Sequence, residues 1–278
     1  MKTTTAGYGG VATGPNGHAV RCAGILFLIL VLSCSGKKEE AADQSAPGEK
    51  PASTETAPVI DVATAATVTG SARFQGTAPT MQVIDVTSEA TCHAKAEAEP
   101  VYHENVVVNS NGTLSNVFVY VKEGLGGLKF PPPAEAVVFD QRSCRYRPHV
   151  FGIQVGQPLR ILNSDEGVLH NIHAVSKVGN GFNFGMPKVM ETTKQFTKPE
   201  VMLKVKCDVH GWMGAYAGVL DHPYYSVTGE DGTFKLAPLP PGQYVIEAWH
   251  EEYGSQTQTI TVTPQEMKEV SFSFGPSS

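Results

Sequence analysis

Val201-Met-Leu-Lys-Val-Lys-Cys207-Asp-Val-His210-Gly-Trp-Met213-Gly-Ala-Tyr-Ala-Gly-Val-Leu220 places a cysteine, a histidine and a methionine between two apolar segments. The segments Val201 to Val205 and Ala215 to Leu220 are rich in Val, Leu and Ala and read as short strands. The three residues between them offer a thiolate, an imidazole and a thioether. With a second imidazole from His170, upstream in His170-Asn171, they form the donor set of a type 1 copper site. In such a site two His and one Cys make a trigonal plane, and a long, weak Met bond caps it. The sulfur donors hold Cu(I), and the imidazoles suit both oxidation states. Three ligands so close in sequence need a tight loop, for which Gly211 and Gly214 offer backbone freedom.

The chain around this loop is patterned as strands. Thr67 to Phe74 alternates. Glu104 to Val108 and Leu114 to Val121 flank Asn111-Gly112, which predicts a hairpin. Further short strands are predicted over Ala136 to Phe139, Arg147 to Gln154, Leu159 to Asn163 and Val168 to Val175. A helix is predicted only over Ser88 to Glu99, which is rich in Ala and Glu. Many short strands with Gly and Pro punctuation predict an all-β sandwich or barrel.

A second unit is predicted from about Asp221. Asp231-Gly232-Thr-Phe234 is followed by Leu239-Pro240-Pro241-Gly242-Gln-Tyr244-Val-Ile246-Glu-Ala248. This pattern resembles the carboxypeptidase regulatory-like module, which implies a small transthyretin-like β-sandwich at 222–278. So short a stretch holds little core of its own, so it is expected to pack on the preceding domain.

The Cys207, His210, Met213 spacing resembles the short ligand loop of cupredoxins of the amicyanin type. That resemblance implies a cupredoxin-like Greek-key sandwich over 64–221 and one copper held by His170, Cys207, His210 and Met213. It also implies that Asn171 ties its own loop to the Cys207 loop and orients His170. Residues 64 to about 145 exceed what a small cupredoxin needs, and no role is assigned to them. His173 competes with His170; an odd spacing on a strand sends the two rings to opposite faces, so one of them faces the metal, and the resemblance of His170-Asn171 to the cupredoxin His-Asn pair favours His170. Met186 is a second thioether candidate. Phe182, Phe184, Met186 and Pro187 form either an apolar cover over the site or ordinary strand-and-turn core. His149, His222 and His250 read as surface residues.

Residues 1–34 read as a leader. The apolar run Cys22 to Leu32 is shorter than a membrane span, and Val31-Leu32-Ser33-Cys34 resembles a bacterial lipobox. That resemblance implies lipidation of Cys34, the alternatives being an ordinary signal peptide or an uncleaved anchor. Residues 35–63 are Ala, Glu, Ser, Thr, Pro and Gly with almost no large apolar side chains, the composition of a disordered tether. An exported, lipid-anchored, periplasm-facing protein is expected, and Ser35 favours the outer membrane. Of five cysteines, Cys22 and Cys34 belong to the leader and Cys207 to the metal loop. Cys92 and Cys144 remain, and in an oxidising compartment they are expected to pair as a disulfide.

The formal charge of −6 argues against nucleic acid as a partner. A complete four-ligand site leaves no position for substrate, so no enzymatic activity is expected. Electron transfer with a redox partner protein is the first reading. Copper storage, sensing or delivery is the second. A metal-free structural or glycan- or protein-binding module is the third.

Overall fold

The protein is represented by a computed structural model that describes Asp61 and residues 63–276. The leader, Cys34 and nearly all of the tether lie outside the described residues. No helix among the described residues is long and apolar enough to cross a membrane.

Strands dominate the described chain. In order it forms β1 (Thr67–Phe74), α1 (Ala90–Ala98), β2 (Phe118–Glu123), β3 (Val137–Arg142), β4 (Arg145–Arg147) and β5 (Val150–Gln154). There follow β6 (Leu159–Asn163), β7 (His170–Val175), β8 (Phe182–Met186), β9 (Met190–Lys194), β10 (Glu200–Lys206) and β11 (Gly214–Leu220). The chain closes with β12 (Tyr225–Val227), β13 (Thr233–Lys235), β14 (Gly242–His250), β15 (Gly254–Val262) and β16 (Met267–Phe274).

The fold is all-β, and around the metal loop it is a sandwich of two sheets. Sheet β5-β11-β10-β7-β8 and sheet β4-β3-β6-β9 form one sandwich. The chain crosses between these sheets repeatedly, so β5 lies parallel to β11 and β3 parallel to β6. Strand alternation sends Leu159 and Ile161 of one sheet, and Leu203 and Val205 of the other, into a shared core with Phe139, Ile172 and Ala217. Burying each of the Val, Leu, Ile and Phe side chains among these stabilises the fold by roughly 1.5–3 kcal/mol. Phe182 and Phe184 lie on β8 and pack against this core, so the segment is strand and turn.

The second sandwich is not confined to 222–278. Its sheets are β13-β1-β16 and β12-β2-β14-β15. Strand β1 runs parallel to β16 along its whole length, from Thr67 opposite Met267 to Phe74 opposite Phe274. Strand β2 lies between β12 and β14. Val68, Ala72, Val119 and Val121 therefore share a core with Ile246, Ile260, Val270 and Phe272. The division expected at 221/222 does not describe the sheets. The N-terminal extension supplies strands that the C-terminal segment is too short to provide, and the β3–β11 sandwich is inserted between them.

The hairpin expected across Asn111-Gly112 is reduced to a turn and one isolated bridge, Val108 to Leu114. Asn116 adopts φ 64°, which ends pairing there and delays the strand to Phe118. His222 and His250 are buried, and the His149 side chain is only 10% exposed, so the three are not surface residues. The sandwiches meet through Phe118, Tyr120, Val150 and Leu220, with Tyr225 and Trp249 alongside. Gly152 and Gly218 face each other across β5 and β11. A Cβ at Gly218 would lie 2.1 Å from Phe118, and one at Gly152 2.1 Å from Tyr225. Both glycines are needed for the rings of one sandwich to lie flat on the sheet of the other.

Candidate metal centre

The loop after β10 is closed by its own backbone. Cys207 N donates to Met213 O at 3.1 Å, and Met213 N donates to His210 O at 2.9 Å. Neither Gly211 nor Gly214 takes a positive φ, so these hydrogen bonds shape the loop without the glycine freedom expected there. The closure turns Cys207 and His210 toward the start of β7. His170, Cys207 and His210 each present a donor atom within 4.8 Å of the other two, and all three residues are buried. The Nδ1 atoms of His170 and His210 stand 3.0 Å apart, and Cys207 Sγ is 3.8 Å from His210 Nδ1. Met213 is 2% exposed and shares the hydrophobic cluster of Cys207. Met186 Sδ accepts a hydrogen bond from Gln141 Nε2 at 2.9 Å, which occupies the rival thioether.

His173 points away. It is half-exposed and its Nδ1 meets Asp208 Oδ2 at 2.9 Å. His170 is fully buried at the start of the same strand. Asn171 makes the tie expected of it, because its Oδ1 accepts the backbone N–H of Asp208 next to Cys207. It is also held by Asn183 across β8.

The outer nitrogen of each imidazole faces a carboxylate. His170 Nε2 meets Asp165 Oδ2 at 2.9 Å, and His210 Nε2 lies 4.0 Å from Glu89 Oε2. With the outer nitrogen protonated toward Asp165, His170 keeps its Nδ1 lone pair for the group's centre. Asp165 is 1% exposed. Burial alone would push its carboxyl up. Bonds from His170, Lys95 and the amides of Cys144 and Ser143 overcome this and hold it well below the usual carboxylate range. Burial likewise opposes ionisation of Cys207, but His170, His210 and the amides of Asn171 and His210 bring its thiol down to about 5. The thiolate, the form that binds metals, is thus favoured at neutral pH. Burial lowers His170's proton affinity, and Asp165 and Cys207 more than restore it.

Sequence reasoning does not single out Asp165, Lys95 or Glu89. Asp165 carries a usable signal, since a metal-bound histidine commonly hands its second N–H to a carboxylate and Asp165 sits just upstream of His170. Lys95 and Glu89 carry none, because helix α1 is distant in sequence. That helix is short, and Cys92, its one buried residue, anchors it. Cys92 and Cys144 form a disulfide, as expected, joining residues 52 apart. The bridge sets α1 over the ligand loop. Trp212 Nε1 donates to Cys144 O at 3.0 Å, and its ring lies 5.0 Å from the His210 ring. Cys144, Asp165 and His170 also cluster, but the disulfide removes Cys144 as a ligand.

The buried thiolate and two imidazoles with inward-facing Nδ1 atoms fit a metal ion. No protein-family model and no curated protein matches the chain. Solved structures do resemble parts of it. A copper-containing nitrite reductase from Thermus scotoductus SA-01 aligns with TM-score 0.30 and 18% identity, over 35% of this chain and 25% of that one. An oxidised proline-to-glycine mutant of amicyanin aligns with TM-score 0.28 and 21% identity, over 36% of this chain and 97% of that one. A purple cupredoxin from Nitrosopumilus maritimus aligns with TM-score 0.25 and 21% identity, over 30% and 97% respectively. The chain thus spans a quarter of the length of the nitrite reductase it resembles. Likenesses this low carry no argument about family or activity.

Proposed function

We propose that this is a copper protein that passes single electrons, with His170, Cys207, His210 and Met213 as ligands. The observation that carries the reading is the convergence of one buried thiolate and two buried imidazoles within 4.8 Å, with Met213 closing the same loop. Copper held there would supply one-electron cycling between Cu(I) and Cu(II). The protein's part is to fix the donors beforehand and exclude water. Backbone closure of the loop, the Asn171 bond to Asp208 and the Asp165 bond to His170 hold the donors, so little rearrangement accompanies a change of charge. A four-ligand set leaves no coordination position for substrate, and catalysis of bond chemistry is not part of the proposal.

The burial of every ligand favours transfer over delivery, because a delivery site must open to release its ion. Helix α1 covers the His210 side. A cleft lined by Tyr102, Arg145, Lys204 and Glu251 also borders Cys207, Trp212 and Met213, and a redox partner protein would approach there. Lipid anchoring through Cys34 at the cell envelope, with the chain facing the periplasm, is part of the same proposal. The second sandwich would act as a structural partner.

The test is the metal content and visible spectrum of protein purified with added copper. One copper per chain and an intense blue band that reduces and reoxidises reversibly are expected. Cys207→Ser should abolish the band while the far-ultraviolet circular dichroism stays that of a β protein. A colourless protein that holds only Cu(I) would favour delivery, and a chain with no stoichiometric copper would leave a metal-free module.

A further inference from the structure

We propose that Lys95, carried on the disulfide-anchored helix α1, is a positioning residue of the metal centre that acts through Asp165 on His170. This rests on the copper reading above. The two oxygens of Asp165 receive four donors. Oδ1 takes Lys95 Nζ at 2.5 Å and Ser143 N at 2.9 Å. Oδ2 takes Cys144 N at 2.8 Å and His170 Nε2 at 2.9 Å. That saturates the acceptor capacity of a carboxylate. Two of the donors are main-chain amides fixed by the turn at Ser143 and Cys144, both at positive φ. Lys95 is the one full cation in the set. Its side chain is 35% exposed whereas Asp165 is 1% exposed, so the pair spans surface and interior.

The consequence follows from the sharing of one anion. The more strongly Asp165 attracts the His170 N–H, the better an electron donor the imidazole becomes at Nδ1. A better donor favours Cu(II) over Cu(I). Lys95 competes for the same carboxylate charge and so restrains His170. Removing the lysine charge must therefore favour Cu(II), and removing the aspartate charge must favour Cu(I). Loosening of the fold has no reason to produce opposite signs from two contacting residues.

The experiment measures the reduction potential of the full-length copper-loaded protein and its Lys95→Met, Lys95→Arg, Asp165→Asn and Glu97→Gln variants. In parallel, the His170 ring ¹⁵N and Nε2–H resonances are followed in metal-free protein. Lys95→Met should shift the Cu(II)-to-Cu(I) affinity ratio about tenfold toward Cu(II), a fall of about 59 mV for one electron. Lys95→Arg should restore most of it. Asp165→Asn should raise the potential. Glu97→Gln, on the same helix but without contact to Asp165, should leave the ratio within about twofold. In the metal-free protein, Lys95→Met should move the Nε2–H proton downfield and keep the Nδ1 lone pair. An unchanged potential in Lys95→Met, or shifts of the same sign in Lys95→Met and Asp165→Asn, would overturn the proposal. If Asp165→Asn does not fold, the Lys95 pair decides alone. If the wild type binds no copper, the copper reading falls by itself and the Nε2–H shift decides, an unmoved resonance refuting the coupling.

Discussion

His170 and His173 share strand β7, yet only the first turns its ring toward Cys207 and His210. His170→Ala should weaken copper binding by roughly a hundredfold or more, the upper range for changes even one shell removed from a metal. His173→Ala should leave the affinity within about threefold, since that ring meets only Asp208 at the surface. Titration of each variant with copper distinguishes them, and the reverse order would refute the assignment. His250 makes a second prediction. Its Nδ1 accepts the amides of Glu252 and Tyr253 at 3.2 and 3.4 Å, so it must be neutral. Burial, with some repulsion from His149, pushes its imidazole down to about 4 against a weaker pull from Glu251. Unfolded, it would titrate near 6.5. Between these values the unfolded chain binds the proton and the folded chain does not. This residue's contribution to stability is therefore complete above about pH 6.5 and falls by about 3 kcal/mol as the pH drops toward 4. In urea unfolding over that window, His250→Phe should lose this part of the slope, and an identical slope in both proteins would contradict the account.

At the scale of elements, the glycine pair on β5 and β11 makes the sharpest claim. Gly218→Val forces a branched side chain into space held by Phe118. Overpacking of this kind costs about 1–3 kcal/mol. Gly211→Ala meets nothing within 4 Å and should cost far less. Denaturant midpoints of the two variants give the comparison, and equal destabilisation would show that the sandwiches do not rely on that contact. Elements also show what the sequence could express. The metal loop is legible because its ligands are local; strand parity lets only one of His170 and His173 face the metal, and the His170-Asn171 match to cupredoxins picks the first. The disulfide follows from elimination and compartment. Asp165 is near in sequence, but an aspartate after Asn163-Ser164 looks like ordinary turn chemistry. Lys95 is beyond such reasoning, since its partner stands 70 residues away.

For the whole molecule, the alternation of Thr67 to Phe74 announces a strand but not its neighbours. Pairing is decided by which faces meet, and β1 finds β13 and β16 at the far end of the chain. The same limit hides the partners of β2. A fragment cut at 64–221, the division the sequence suggests, should therefore keep the β3–β11 sandwich and lose the outer one. It would leave Val68, Ala72, Val119 and Val121 without the side chains that cover them. Calorimetry of that fragment should show only the melting of the β3–β11 sandwich, with a smaller enthalpy than the transition of residues 61–276. A fragment that melts with the full enthalpy of the longer chain would show the C-terminal strands to be dispensable.

The order of the strands along the chain bears on how such a molecule is made. Of the described strands, β1 and β2 emerge first in synthesis or export, and β14 to β16 emerge last. Between the two events the complete β3–β11 sandwich emerges with its ligand loop. Vectorial synthesis thus lets the inner sandwich assemble while the outer one still waits for its second half. The nascent β1 and β2 must stay unpaired through that interval, which makes them natural holding points for a chaperone. The arrangement also joins the two ends of the described chain through one parallel pair, β1 and β16. Proteolytic loss of the C-terminal strand would then unseat the N-terminal one as well.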